Sequence, residues 1–136
     1  TSHMIPAVIR KLHDAKISKA QIVPIWGDGN ARREFMYASD LADFLYFSIK
    51  HLDELPQYLN VGTGVDYSIT EYYEAIATVV GYQGDYEYDL SKPAGMLKKL
   101  VDSSLLNRLG WAPNTSLTVG IENTYEFYQK RFNYAL

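Results

Sequence analysis

The chain has 136 residues, 47% of them hydrophobic and 21% charged, the balance of a globular domain that can bury a core. A net charge of −3 excludes a general basic face for nucleic acid, and the absence of cysteine excludes disulfides and thiolate metal sites. No apolar run approaches a membrane span and no signal peptide opens the sequence, so a cytoplasmic protein with no membrane or nucleic-acid partner is expected.

Residues 5 to 16 predict a helix with Ile5, Val8, Ile9 and Leu12 on one face and Pro6 in its first turn. Lys19 to Ile25 predicts a strand. It runs into Trp26-Gly27-Asp28-Gly29-Asn30-Ala31-Arg32-Arg33. Two glycines two apart allow a tight turn with open backbone amides, and two arginine forks and an aromatic plane adjoin it. Such a set suits a nucleotide, because a guanidinium holds phosphate bidentately and a ring covers a base or sugar. The plain alternative is a hairpin with Trp26 in the core and the arginines solvated. Arg33 to Tyr37 predicts another short strand.

Ser39 or Asp40 is expected to cap a helix whose apolar face is Leu41, Phe44, Leu45, Ser48 and Leu52. Tyr58 to Val61 reads as a strand ending in the turn Gly62-Thr63-Gly64. Ser68-Ile69-Thr70-Glu71 is a capping box, and the helix after it places Ile69, Tyr72, Tyr73, Ile76 and Val80 on one face before stopping at Gly81. Asp85 to Asp89 alternates acid and tyrosine, the pattern of a strand with one wet face. A loop from Ser91 to Lys98, a strand from Lys99 to Asp102, a helix from Ser103 to Leu109 and a turn from Trp111 to Thr115 follow. Ser116 caps a last helix with Leu117, Ile121, Thr124, Tyr125, Tyr128 and Phe132 inward. The sum is one α/β domain over residues 1–136, made of short strands and amphipathic helices.

Tyr46 and Lys50 match the Tyr-x-x-x-Lys spacing of short-chain reductases. They stand in an amphipathic helix, and no Gly-x-Gly-x-x-Gly turn is present to hold a dinucleotide. Chance explains the match better. His3, His13 and His51 have no second histidine or cysteine at ligand spacing, so no metal is expected.

Taken in register, the motifs Ser2-His3-Met4-Ile5-Pro6, Trp26-Gly27-x-Gly29-x-x-x-Arg33-Glu34-Phe35, Asp40-Leu41-Ala42, Asn60-Val61-Gly62-Thr63-Gly64, Ser91-Lys92-Pro93-x-Gly95, Lys98-Lys99-Leu100-x-Asp102 and Leu109-Gly110-Trp111 resemble the C-terminal half of the GDP-L-fucose synthases. These are extended short-chain dehydrogenases/reductases of the NAD-dependent epimerase family. The resemblance implies the small substrate-binding domain of that fold without its Rossmann half. It implies a GDP-sugar substrate of the GDP-4-keto-6-deoxy-mannose type. It places NADP(H) and the Ser-Tyr-Lys triad in the missing half, with no cofactor held by this chain. It also implies a monomeric fragment and a homodimeric full-length enzyme. His3 matches the acid/base histidine of epimerisation, and an imidazole suits proton transfer beside a carbonyl near neutral pH. Ser-His-Met also matches the scar of a common cloning site, another origin for His3. Arg33 and Lys99 match the cations that hold the diphosphate. Lys11 falls near the nucleotide, and Trp26 beside the nucleoside. Arg33 and Lys99 are expected to face one cleft beside the Trp26 turn, and bare apolar surface is expected near the first helix and that turn.

Two departures bear on the substrate. Ala94-Gly95-Met96-Leu97-Lys98-Lys99 stands where the family often has Asp-Gly-Thr-Pro-Arg-Lys, and Ser39-Asp40 stands for Asp-Asp. Another 6-deoxy or dideoxy GDP-sugar is therefore open as substrate. The alternative to an enzyme part is a stand-alone nucleotide-sugar-binding or interaction module.

Overall fold

The computed structural model describes residues 3–93 and 95–133. Ser2 and Ala94, which belong to two of the motifs above, lie outside the described residues. In chain order the elements are α1 (Met4–Ser18), β1 (Ile22–Trp26), β2 (Arg32–Arg33), α2 (Ala38–Lys50), β3 (Tyr67–Ser68), α3 (Ile69–Val80), β4 (Asp85–Asp89), β5 (Lys98–Lys99), α4 (Ser104–Arg108) and α5 (Leu117–Asn133), with a single 3-10 turn at Leu52–Glu54. This is the expected α/β class of short strands and helices. The chain divides into two compact units.

The first unit comprises Thr1–Ala31, Ser68–Gly95 and Ser116–Leu136. Val8, Ile9, Leu12 and Ala15 recur at helical spacing on α1 and are buried. They join Tyr73, Ile76, Ala77 and Val80 of α3 and Ile121 and Tyr125 of α5 in one core. The apolar face of α1 is thus covered within its own unit, which corrects the expectation of bare surface there. Helix α1 ends at Lys19, held in the left-handed region at φ 57°, and Ala20 N–H returns to the Ala15 carbonyl. Residues Lys19 and Ala20 are occupied in this cap, so β1 starts three residues later than the alternation suggested. Strand β1 pairs in parallel with β4, from Ile22 opposite Asp85 to Trp26 opposite Asp89. Val23 and Ile25 point into the core while Ile22 and Trp26 stay outside. Helix α3 opens on the expected capping box: Ser68 Oγ accepts from Glu71 N–H, and Ser68 N–H donates to Glu71 Oε2 at 2.6 Å. It stops at Gly81 in the left-handed region.

The second unit comprises Arg32–Tyr67 and Met96–Thr115. Its core is small: Phe44, Leu106 and Trp111, with Met36, Phe47, Leu59 and Val61 against them. Phe44 meets Trp111 edge-on at 5.3 Å between ring centres, and Trp111 Nε1 donates to Asp43 at 2.8 Å. Asp40 is no cap. Helix α2 begins at Ala38 after Tyr37, and Asp40, only 6% exposed, accepts from Asn114 N–H and Thr115 Oγ1 through Oδ1. The carboxylate therefore pins the segment before α5 to the first turn of α2.

Three expectations fail in this unit. Of the predicted apolar face of α2 only Phe44 is buried; Leu41, Leu45 and Leu52 are exposed, as are Tyr46 and Ile49, and Leu52 lies beyond the helix. Tyr58 to Val61 forms no strand, because no strand lies alongside it among the described residues. Strands β2 and β5 are two residues each, shorter than expected; past them Glu34 N–H still bonds the Lys99 carbonyl, and Leu100 lies outside the strand. They pair in parallel, Arg32 opposite Lys98 and Arg33 opposite Lys99, and β3 borders β2 on its other edge.

Candidate functional site

The β2–β5 ladder carries four cations on two rungs. On the first rung, Arg32 Nε donates to Asp66 Oδ1 at 2.9 Å and Arg32 Nη2 to the Asp66 carbonyl at 2.7 Å. Lys98 Nζ lies 3.2 Å from Asp66 Oδ2. The hydrogen bond from Arg32, reinforced by Lys98, holds the Asp66 carboxyl below the usual carboxylate range. This rung faces Asp66, whose one carboxylate pairs with both of its cations. Side chains alternate along extended backbone, so the Arg33–Lys99 rung faces the opposite way. Arg33 is half-buried and turns Nη1 to the Arg32 carbonyl at 2.7 Å, while Lys99 is exposed. Two residues 66 positions apart in sequence thus become direct cross-strand neighbours.

Glu34 fixes this arrangement, and the sequence reading missed it. Glu34 N–H donates to the Lys99 carbonyl at 3.2 Å. Its Oε1 accepts from Gly64 N–H at 2.8 Å and Thr63 Oγ1 at 3.1 Å, and its Oε2 from Val101 N–H at 3.0 Å. A side chain on Gly62 would run into Glu34 Oε1 and Val101 Cγ2, so the close approach of that turn requires glycine. The signal available in the sequence was a carboxylate next to Arg33 and a Gly-Thr-Gly turn with amides to satisfy.

The remaining predicted residues lie in the first unit. Trp26 ends β1 and is 66% exposed, with Lys92 Nζ 5.8 Å from its ring centre, so it is not a core residue. The turn after it is tight, with Gly27 and Gly29 at φ 77° and 75°. Its amides are not all open, however. Gly27 N–H donates to the Asp89 carbonyl at 2.9 Å and Asn30 N–H to Asp28 Oδ1 at 3.0 Å. The Asn30 hydrogen bonds hold the Asp28 carboxyl low, which puts an anion on the turn. Lys11 donates to the Pro24 carbonyl at 2.6 Å and reaches Tyr73 Oη at 3.4 Å, and burial pushes its ammonium pKa down. It buttresses β1 from α1. His3 precedes α1, exposed, its carbonyl accepting from Ala7 N–H and its side chain making no cap bond. The structure therefore brings Arg33 and Lys99 together and gives Lys11 an internal partner.

Tyr46 and Lys50 are explained without catalysis: Lys50 Nζ sits 4.1 Å from the Tyr46 ring centre, a cation–π pair one turn apart on α2. No group of three metal-ligating side chains occurs among the described residues.

A model of the NAD-dependent epimerase/dehydratase family matches residues 1–62. A GDP-L-colitose synthase of Yersinia pseudotuberculosis is 51% identical over 132 residues, 97% of this chain and 43% of that protein. The family model thus covers the first 62 residues of the chain, and the similarity to this synthase covers nearly all of it. A GDP-L-fucose synthase of Azorhizobium caulinodans is 46% identical over 93% of this chain and 41% of its own length. Among solved structures, a GDP-6-OMe-4-keto-L-xylo-heptose reductase of C. jejuni superposes with a TM-score of 0.88 at 29% identity, covering 96% of this chain and 48% of that one. The chain spans less than half the length of each of these relatives.

Proposed function

We propose that this chain is the substrate-binding part of a larger, NADP-dependent nucleotide-sugar epimerase/reductase of the cytoplasm. Its substrate is a GDP-linked deoxysugar, and Arg33 and Lys99 hold the diphosphate. One observation carries this reading: the Arg33–Lys99 rung, two cations side by side on the face opposite the one where Asp66 pairs with Arg32 and Lys98. A guanidinium fork beside an ammonium is the pairing a diphosphate asks for, since one gives two directed bonds and the other a movable point charge. The relatives' names, GDP-L-colitose and GDP-L-fucose synthase, supply the GDP and the deoxysugar. Trp26, exposed, suits the nucleoside, and His3 suits proton transfer to the sugar; both assignments rest on the family resemblance. Lys11 would have to leave the Pro24 carbonyl to reach a nucleotide.

The dinucleotide does not fit the residues of this chain. The glycine turn that follows β1 spends Gly27 and Asn30 N–H internally and carries Asp28, a poor cradle for pyrophosphate. NADP(H) is therefore assigned to the rest of the enzyme. The exposed apolar side of α2 supports a covering element supplied by that remainder.

Calorimetric titration of GDP tests the reading. Each charge-assisted phosphate contact contributes about 1.5–3 kcal/mol, so Arg33→Ala and Lys99→Ala should each weaken GDP by roughly tenfold or more. Adenosine, which lacks phosphate, should not distinguish the three proteins. Equal GDP affinities for all three would sink the proposal.

A further inference from the structure

Strands β1 and β4 form a sheet of two, so each keeps one edge with no strand beside it among the described residues. Asp85 N–H donates to the Gln21 carbonyl at 2.7 Å and Gly27 N–H to the Asp89 carbonyl at 2.9 Å. Backbone groups of successive strand residues point to opposite edges. Asp85, Glu87 and Asp89 therefore bond β1, while Tyr86 and Tyr88 turn their backbone groups outward. By the same parity Ile22, Pro24 and Trp26 form the outer edge of β1. The two edges differ. At the centre of the β1 edge stands Pro24, which has no N–H, and its carbonyl is taken by Lys11 Nζ at 2.6 Å. On β4 the Tyr88 carbonyl accepts Leu90 N–H at 3.2 Å. Tyr86 N–H, the Tyr86 carbonyl and Tyr88 N–H have no partner among the described residues.

We propose that the open edge of β4 takes up an extended segment of another protein as a third strand, with basic side chains at alternate positions of that segment. Three adjoining backbone groups let one residue of the segment exchange two bonds with Tyr86 and another accept from Tyr88. Charge selects the segment. Asp85 and Glu87 stand two residues apart on one face of β4, both exposed, and no ion pair engages either among the described residues. A residue placed directly opposite each has its Cβ about 4.5–5.5 Å away, close enough for an ammonium to reach the carboxylate. Tyr86, on the other face, is half-buried, so the residue between the two cations is apolar. A second copy of this chain is a poor occupant. Antiparallel pairing of two β4 edges about Tyr86 would set Asp85 against Glu87 twice, and like charges directly opposite destabilise a sheet. An acidic segment meets the same repulsion.

The experiment titrates three capped peptides, Thr-Lys-Val-Lys-Thr, Thr-Gln-Val-Gln-Thr and Thr-Glu-Val-Glu-Thr, into the isotope-labelled chain and into its Glu87→Lys variant at low salt. Amide shifts and amide hydrogen exchange are the readouts. The lysine peptide should bind the unaltered chain roughly tenfold more tightly than the glutamate peptide, with the glutamine peptide between them. As it binds, exchange at the Tyr86 and Tyr88 amides should slow, while the Ile22 and Trp26 amides on the opposite edge keep their rates. The Glu87 side chain is exposed and only its backbone bonds β1, so Glu87→Lys leaves the sheet in place. That variant should bind the lysine and glutamate peptides to within about twofold of each other, because one attraction and one repulsion then face either peptide. No binding of the lysine peptide overturns the proposal and leaves the acids as guards of a bare edge. Binding that leaves exchange at Tyr86 and Tyr88 unchanged is charge attraction without strand pairing and also overturns it. Equal affinity of the unaltered chain for all three peptides overturns the choice of a basic segment.

Discussion

Arg33 and Lys99 are direct partners across β2 and β5, while Arg32 and Lys98 on the adjoining rung share the carboxylate of Asp66. Four cations on so short a ladder repel one another at close range. Asp66 answers two of them on one face. In joining Arg32 of β2 to Lys98 of β5, the same carboxylate keeps the second rung in register.

Acid should expose this arrangement. The folded-state pKa of Asp66 is lowered by the Arg32 hydrogen bond and by Lys98. A depressed carboxylate contributes stability that is fully present above its unfolded pKa, near 3.9, and that is lost as pH falls through the folded value. Thermal melts from pH 6 downward should be level until about pH 4 on this group's account and then decline. Asp66→Asn should lower the melting temperature at pH 6 and show a smaller decline below pH 4. A variant that tracks the unaltered chain at every pH would show that the ion pairs do not steady the ladder.

Glu34 satisfies three groups at once, the Gly64 and Val101 amides and the Thr63 hydroxyl. Glu34→Ala leaves two amides without their carboxylate, a loss of about 1.5–3 kcal/mol. Hydrogen exchange at Gly64 and Val101 should quicken by tenfold or more, while the core of α3, in the other unit, keeps its protection. GDP affinity should fall as well, through loss of the Lys99 register. Unchanged exchange at both amides would show that the carboxylate is not their acceptor in solution.

Much of this was legible in the sequence, and the reasons are local. The capping box at Ser68 and Glu71, the stop at Gly81 and the strand Asp85–Asp89 rest on short-range rules, and each stands as read. The cations Arg33 and Lys99 followed from family register, and strand pairing supplied the adjacency that register could not. The failures share a cause. Periodicity finds an apolar face on α2 but not what covers it, and the described residues do not cover it. Tyr58–Val61 reads as a strand from its residues, but no neighbouring strand lies beside it among the described residues. Glu34 escaped notice because its three partners lie about thirty to seventy positions away.

The turn after Trp26 depends on Gly29. Its φ is 75°, and a side chain there would collide with Thr70 Oγ1 and the Tyr88 ring. Its carbonyl accepts from Thr70 N–H at 3.1 Å, docking the first turn of α3. Gly110 is also left-handed, at φ 90°, but open space surrounds it. Gly110→Ala should therefore cost only the backbone strain, about 1–2 kcal/mol. Gly29→Ala should cost more, because the collision adds to the same strain. Urea melts of the two variants check the order, and equal midpoints would mean that Thr70 and Tyr88 yield freely.

Helix α2 offers the sharpest contrast between buried and exposed apolar residues. Phe44 is buried and packs on Trp111 and Leu106 in a core of very few residues. Its truncation to alanine should cost about 3–5 kcal/mol, most of what a unit of this size can hold. Leu45 and Ile49 follow on the same helix but are 55% and 74% exposed. Their replacement by glutamate removes little buried surface, so each should shift the stability of the chain by less than about 0.5 kcal/mol. If, as proposed, the chain is part of a larger protein whose remainder covers this side of α2, the same two charges placed in that protein would be driven into an apolar contact. There they should lower the yield of folded enzyme and its melting temperature. The pair of measurements separates the two states of the surface. Urea midpoints of the chain alone report whether Leu45 and Ile49 are bare, and melting of the full-length variants reports whether they become covered. Loss of stability in both settings would mean that α2 is packed within this chain after all. Loss in neither would mean that nothing docks on it.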